Sequence, residues 1–147
     1  MNLLKKLLKI ILNMKMLHSI KKVITFLIVF IFGIIAALLH LIGKVFNFTY
    51  NETNILVYYL IIPLSWSILL DIIINIPLFT ILISIIWIYI FYTKRKFFKE
   101  WCNVVFDISV IFLLKFQKIG WNYYTSSVII CVIIPVIIYL LLISAAL

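Results

Sequence analysis

The residues with the clearest chemical potential are three polar side chains inside a long apolar stretch. Ser67, Asp71 and Asn75 follow one another at intervals of four residues, so they share one face of an α-helix. Asp71 is the only acid within the apolar runs of the chain. An ionisable group in a membrane helix indicates function by default, because its charge is costly to bury in hydrocarbon. This polar face could therefore bind an ion, relay a proton or contact a partner.

The same face also has a structural interpretation. Asn75 is a good N-cap residue, and Pro77 is tolerated in the first turn of a following helix. We therefore predict a tight helical turn here. A capping or turn role is favoured for Asp71, ahead of an ion or proton role. Polar packing between helices is the third interpretation.

No other residues form a pattern that predicts catalysis or metal binding. Cys102 and Cys131 lack the spacing of a metal motif, and His18 and His40 lie far apart. The chain has only three glycines and no nucleophile–base, HExxH or glycine-rich phosphate motif. We expect a protein that is not an enzyme, with no cofactor and no metal.

Composition determines the class of protein that must position these residues. Of the 147 residues, 67% are hydrophobic and 12% are charged, and the mean hydropathy is +1.33. Soluble domains are about half apolar and about a quarter charged. These values exclude a soluble enzyme, a secreted disulfide scaffold and a disordered tail. They predict an all-α, small polytopic integral membrane protein.

Hydropathy predicts about four membrane helices plus amphipathic interfacial helices. Residues 23–42 carry no charge and would span about 30 Å, the thickness of a hydrocarbon core. Residues 55–92 are too long for one crossing and are divided at the turn, and Pro63 should kink the first part. The predicted membrane domain is 23–147, with helices at about 23–42, 55–74, 76–93 and 121–143. No internal repeat is evident.

Two further segments have an amphipathic period. The pattern at residues 1–22 predicts a basic helix on the membrane surface, with a charged cytoplasmic stub of no independent role as an equal alternative. At about 95–119, polar residues recur every three or four positions, which predicts a helix lying in the interface. Gly120 is a plausible C-cap for that helix.

The net charge of +9 comes from cations at the edges of the apolar runs. This distribution is typical of membrane flanks and of contact with anionic lipids, and it does not predict nucleic-acid binding. The predicted partners are therefore the bilayer and its anionic lipids. The candidate lipid contacts are Lys5, Lys6, Lys9, Lys21, Lys22, Lys94, Arg95 and Lys96.

The charges do not fix the orientation of the chain. Four crossings leave six cations on one side and seven on the other, which does not satisfy the positive-inside rule. A single net crossing by 55–92 would give twelve against one, but it requires a re-entrant segment near Asp71. A fifth crossing by 97–116 would place Lys99, Glu100 and Asp107 at depth, where each is costly. Four membrane segments are the preferred arrangement, with the orientation open.

Three functions fit a short, basic, polytopic chain without a soluble domain. The first is a small accessory or structural subunit of a membrane protein complex, associating with other membrane subunits or with itself. The second is a bacterial immunity or defence protein acting against a pore-forming toxin. The third is an oligomeric ion or proton pathway around Asp71. The composition favours a bacterial cytoplasmic membrane, with an organellar inner membrane as the alternative.

Overall fold

The protein is all-helical. The computed structural model describes the backbone of residues 2–94 and 96–147 and the side chains of residues 16–94 and 96–147. Within these ranges there is no strand. The α-helices are α1 (Asn2–Phe46), α2 (Tyr50–Ile55), α3 (Ile62–Ile74), α4 (Leu78–Lys94), α5 (Phe98–Leu114), α6 (Tyr123–Val128) and α7 (Ile134–Ala146).

Three helical stretches in the described residues are long and apolar enough to cross a membrane. They are Met16–Phe46, Tyr50–Ile74 and Tyr123–Ala146, and the shorter apolar helix α4 adds a fourth segment. This confirms a small membrane protein of the predicted class. The predicted helix at 55–74 begins earlier than expected, and the predicted helices at 76–93 and 121–143 match α4 and Tyr123–Ala146 closely.

The first helix runs without a break from the basic segment into the apolar one. The sequence suggests a surface helix at 1–22 and a separate membrane helix at 23–42, whereas α1 is continuous over 45 residues. Nothing in the sequence interrupts it: there is no proline before Pro63, and its only internal glycines are Gly33 and Gly43. At 1.5 Å per residue it is about 67 Å long, more than twice the thickness of a hydrocarbon core.

A tight, fully bonded corner joins α1 to α2. Asn47 adopts a left-handed conformation with φ 58°, and the Phe48 N–H donates to the Gly43 carbonyl at 2.8 Å. This i→i−5 bond closes the end of α1 as a Schellman motif. Thr49 and Glu52 then form a capping box that begins α2. The region between the helices is therefore shorter than residues 43–54, which lie between the predicted helices at about 23–42 and 55–74.

Proline is accommodated by a wide helical turn in both later membrane stretches. Leu56–Ile61 and Ile129–Ile133 are π-helical, and each lies just before an Ile-Pro pair, Pro63 and Pro135. Proline lacks an N–H and its ring crowds the carbonyl four residues earlier, so a wider turn relieves the clash. The carbonyl that Pro63 cannot reach, that of Tyr59, accepts the Trp87 Nε1–H at 3.0 Å. Helix α4 thus satisfies a carbonyl that the proline leaves unbonded.

The amphipathic segment forms α5 and a short 3₁₀ helix at Lys115–Ile119. Gly120 ends it in a left-handed conformation with φ 83°, which confirms the predicted C-cap. Whether α5 lies in the interface or crosses the membrane stays a prediction. Helix α5 packs on α2 and closes a small core around Ile55, Trp87 and Cys102.

The chain contains a structural repeat that its sequence does not make evident. The same order of elements occurs twice. It is a helix, a left-handed residue, a polar N-cap, a short α-helix, a π-helical turn and a 13-residue helix beginning Ile-Pro. The first copy uses Asn47 and Thr49, and the second uses Gly120 and Asn122. We call residues 28–74 the first unit and residues 102–146 the second. Helix α4 connects them and has no counterpart.

Contacts between the two units are reciprocal, as expected of a pseudo-twofold arrangement. Helix α1 packs on α6 while α5 packs on α2, and α3 packs on α7. Phe32 meets Tyr123 edge-on with ring centroids 5.8 Å apart, and the equivalent pair, Phe106 and Tyr50, does so at 5.9 Å. Three pairs of buried residues also occupy equivalent positions in the two units: Leu39 and Leu113, Thr53 and Ser126, and Ile55 and Val128.

Candidate functional site

The structure joins two of the three predicted polar residues to the next helix. Ser67 is 2% exposed and Asp71 is 9% exposed. The Asp71 carboxylate accepts the Phe79 N–H at 2.9 Å on Oδ1 and the Thr80 N–H at 2.8 Å on Oδ2. The N–H groups in the first turn of a helix have no acceptor within that helix. Each Asp71 oxygen thus satisfies one of these N–H groups of α4. Helix α3 in this way caps α4.

Ser67 lies on the same face but bonds mainly within its own helix. Its hydroxyl donates to the Leu64 carbonyl at 2.7 Å and lies 3.5 Å from the Thr80 hydroxyl. Serine in a helix commonly satisfies itself this way when no water is available. Ser67 and Asp71 therefore belong to the α3–α4 contact rather than to an open polar face.

Asn75 does not bond to Ser67 or Asp71, and its predicted role as the N-cap of the next helix is wrong. It is exposed, and it ends α3 in the left-handed conformation with φ 60° instead of beginning α4. Asparagine tolerates this conformation better than other side chains do. Pro77 lies before α4 rather than in its first turn, and Asp71 supplies the cap from the preceding helix.

The second candidate site is a cavity of about 230 Å³ between the two units, and sequence reasoning missed it. Most of its wall is apolar or aromatic. Equivalent positions of the two units line it in pairs, namely Phe32 and Phe106, Leu39 and Leu113, Tyr50 and Tyr123, and Asn54 and Ser127. No signal in hydropathy or motif spacing indicates it, because it exists only where the units meet.

One residue that lines this cavity has a buried, unsatisfied polar atom. The Trp66 indole lines the cavity, and its buried Nε1 has no hydrogen-bond partner among the described residues. Two hydroxyls nearby are bonded: Tyr59 bonds Ser109 at 2.7 Å, and Tyr139, whose ring packs against Trp66, bonds Ser65. The hydroxyls of Tyr58, Tyr123 and Ser127 also line the cavity. An unpaired buried donor is unusual in a folded protein.

The candidate lipid contacts fall into two groups. Lys21, Lys22, Lys94 and Lys96 are exposed, which leaves them accessible to headgroups. The side chains of Lys5, Lys6 and Lys9, and the whole of Arg95, lie outside the described residues. The predicted lipid contacts stay predictions.

Neither cysteine forms part of a metal site. In the ranges the structure describes, no group of three or more His, Cys, Asp or Glu side chains comes together. Cys102, on α5, is completely buried in the small core with Ile55 and Trp87. Cys131 is partly buried and lines the cavity. Burial, and then the negative charge of Glu52, raises the pKa of the Cys102 thiol to about 11.

This shift predicts slow alkylation of Cys102 with an unusual pH profile. In a Cys131→Ala background, the rate with a small maleimide should rise about tenfold per pH unit beyond pH 9, because only the thiolate reacts. The same protein unfolded in SDS should level off near the ordinary thiol pKa of about 8.5. A folded-state rate that levels off at that same pH would contradict the prediction.

Comparison with known proteins gives no relative from which a role could be transferred. No family model, no curated protein and no solved structure matches the chain.

Proposed function

We propose that this is a non-enzymatic membrane protein that works as a small accessory subunit, through contact with another membrane protein. The observation that carries the proposal is the exposure of α1 from Met16 to Leu27. Every residue from Met16 to Leu27 is exposed within the protein's own fold. This segment therefore projects from the bundle formed by the two units, with its side chains available to another chain.

The exposed part of α1 has an aromatic face. Phe26 and Phe30 lie one turn apart with their rings stacked, and they are 68% and 57% exposed. Large aromatic side chains often dominate the binding energy at interfaces between proteins. Lipid can cover an exposed aromatic face too. The experiment must therefore distinguish contact with a protein partner, which we propose, from contact with lipid.

Helix α4 supports the same proposal from another direction. Its 17 residues extend about 25 Å, less than the usual hydrocarbon thickness. A short membrane helix thins the bilayer or associates with neighbours. Its outward side chains at Ile85, Ile88, Tyr89 and Tyr92 are all at least 60% exposed.

Site-specific photo-crosslinking in the source membranes tests the proposal. A benzophenone side chain at Phe26 or Phe30 should give a discrete protein adduct of one mass. The opposite face of the helix, at Ile24 and Ile31, should give lipid adducts instead, because a partner covers one side whereas lipid surrounds the helix. Two differently tagged copies of the chain show whether the adduct is a homodimer. Lipid adducts alone from all four positions would refute the subunit proposal.

The cap geometry does not favour the ion or proton pathway. Both oxygens of Asp71 accept backbone N–H groups at 2.8–2.9 Å, which gives the carboxylate a structural task. Its neighbour Ser67 is turned back to its own helix. Neither observation provides a chain of free ligands of the kind that such a pathway needs.

A further inference from the structure

We infer that the cavity between the two units binds a neutral hydroxylated hydrocarbon, whose hydroxyl group bonds to tyrosines of both units. The two membrane stretches line the cavity in the same way. Each presents a residue to it every four positions, so one face of each stretch forms part of the wall. These residues are Tyr50, Asn54, Tyr58, Ile62 and Trp66 in the first unit, and Tyr123, Ser127, Cys131 and Pro135 in the second.

The polar residues come first along both faces. In each stretch the first three of these side chains can form hydrogen bonds, and the next one, Ile62 or Pro135, is aliphatic. Their polar groups also gather across the boundary between the units. Electrostatic interactions connect the side chains of Tyr50, Tyr58, Tyr123 and Cys131. The cavity therefore has one polar region, to which both units contribute.

Two hydroxyl groups of this polar region are available to a ligand. Those of Tyr58 and Tyr123 bond to no other residue that the structure describes, and both are accessible, because the only buried and unpartnered side-chain N or O atom in those residues is Trp66 Nε1. The other polar side chains of the wall can pair with one another, namely Tyr50 with Asn54, Ser127 with Cys131, and Tyr59 with Ser109. A ligand can thus bond to Tyr58 and Tyr123 without displacing a hydrogen bond of the protein.

A hydroxyl group matches two phenols better than a charged group does. Each phenol can both donate and accept, and an alcohol can do the same, so it can accept from Tyr58 while it donates to Tyr123, or the reverse. No Asp, Glu, Lys, Arg or His lines the cavity, so a formal charge would lose its hydration without gaining a counter-ion. The ligand is therefore neutral.

The rest of the wall fits a compact hydrocarbon body. Phe32 and Leu39 of α1 and Phe106 and Leu113 of α5 offer aromatic and aliphatic surface. An apolar cavity of about 150 Å³ stays dry and accepts benzene. At about 230 Å³ this cavity has room for a ring with short alkyl substituents, but not for a whole phospholipid. Water can bond to the phenols, but it finds no partners along the apolar part of the wall.

Two probes of matched shape separate the hydroxyl contact from simple apolar filling. Thymol and p-cymene have the same ring with the same two alkyl groups, and only thymol has a hydroxyl group. In detergent micelles, both should raise the unfolding temperature of the wild-type protein, as binding to the folded state requires. Tyr58→Phe and Tyr123→Phe should each weaken thymol binding about five- to tenfold, the value of one neutral hydrogen bond, and should leave p-cymene binding unchanged.

Neighbouring residues provide the matched controls. Tyr124 follows Tyr123 in α6 but does not line the cavity, so Tyr124→Phe should leave the binding of both probes unchanged. Ala36 lines the cavity, whereas Ala37, the next residue of α1, is exposed and does not. Ala36→Phe should abolish the response to both probes, and Ala37→Phe should preserve it. Any shift that a folded Ala36→Phe protein retains measures the effect of the probes on the micelle.

Selective weakening of thymol in either tyrosine variant supports the proposal. Three results would overturn it: a wild-type response no larger than that of folded Ala36→Phe, no selective loss of thymol in either Tyr58→Phe or Tyr123→Phe, or an equal loss in Tyr124→Phe. If Ala36→Phe fails to fold, the three tyrosine variants decide alone.

Discussion

Gly43→Ala is expected to destabilise the protein by about 1–3 kcal/mol, the usual cost of overpacking a well-filled contact. A methyl group at this position would lie 2.7 Å from the Thr53 hydroxyl oxygen and 2.8 Å from the Phe48 carbonyl oxygen. Neither can move freely. Thr53 is buried and its hydroxyl is bonded to Thr49, and the Phe48 carbonyl belongs to the backbone of the corner. Relief therefore requires α1 and α2 to separate.

Gly33→Ala is the matched control in the same helix. A methyl group there meets nothing within 4 Å. It should leave stability unchanged or raise it by up to about 1 kcal/mol, because alanine has the better helix propensity. SDS titration of both variants in mixed micelles, followed by circular dichroism, measures the difference. Equal midpoints for the two variants would show that the corner is not closely packed.

The membrane class and the ends of several helices could be predicted because they depend on local signals. A long uncharged run fixes a membrane helix, and the Asn75 to Pro77 segment marks the break between α3 and α4 correctly. The same rules misjudge residues 43–54. The Thr49-x-x-Glu52 pattern is a capping box, and reading it would have moved the start of the second membrane stretch back to Tyr50.

The repeat and the cavity could not be predicted from these rules, because residue identity is rarely kept between the units. Position 47 is asparagine and position 120 is glycine, yet both provide a left-handed residue. Thr49 and Asn122 are different side chains that perform the same capping task. The two units share backbone conformation more than residue identity, so the repeat becomes visible only when their backbone geometry is compared. The sequence signal that could have suggested it is four identical pairs that align only with gaps: Phe32 and Phe106, Leu39 and Leu113, Tyr50 and Tyr123, and Pro63 and Pro135.

The position of Asp71 was predictable, but its partners were not. Interval counting places Ser67, Asp71 and Asn75 on one face, assuming that the helix continues through Asn75. The helix ends at Ile74, and α4 folds back so that its first turn meets Asp71. The donors that bond to the Asp71 carboxylate depend on how α4 folds back against α3. Hydropathy does not encode that geometry.

Asp71→Ala is expected to destabilise the protein more than the other changes on this face of α3, because it removes the side chain that caps α4. It removes both acceptors and leaves the Phe79 and Thr80 N–H groups unsatisfied. The turn beside these groups, from Asn75 to Phe79, is exposed, so the loss is that of a missing helix cap. Asp71→Asn keeps one acceptor oxygen but directs an amide N–H toward a backbone donor, so about half of the loss should remain. SDS titration of the micellar protein measures both values.

Ser67→Ala is the matched control on the same face, and it separates a structural aspartate from a functional one. Ser67 is as buried as Asp71, but its hydroxyl donates to a carbonyl of its own helix, so the loss should stay within about 1 kcal/mol. The order Asp71→Ala, Asp71→Asn, Ser67→Ala, from most to least destabilised, follows from capping. If the carboxylate instead carried a proton or bound an ion, Asp71→Asn would insert and unfold like the wild-type protein while abolishing function. That result would contradict the capping role and return Asp71 to the ion or proton pathway.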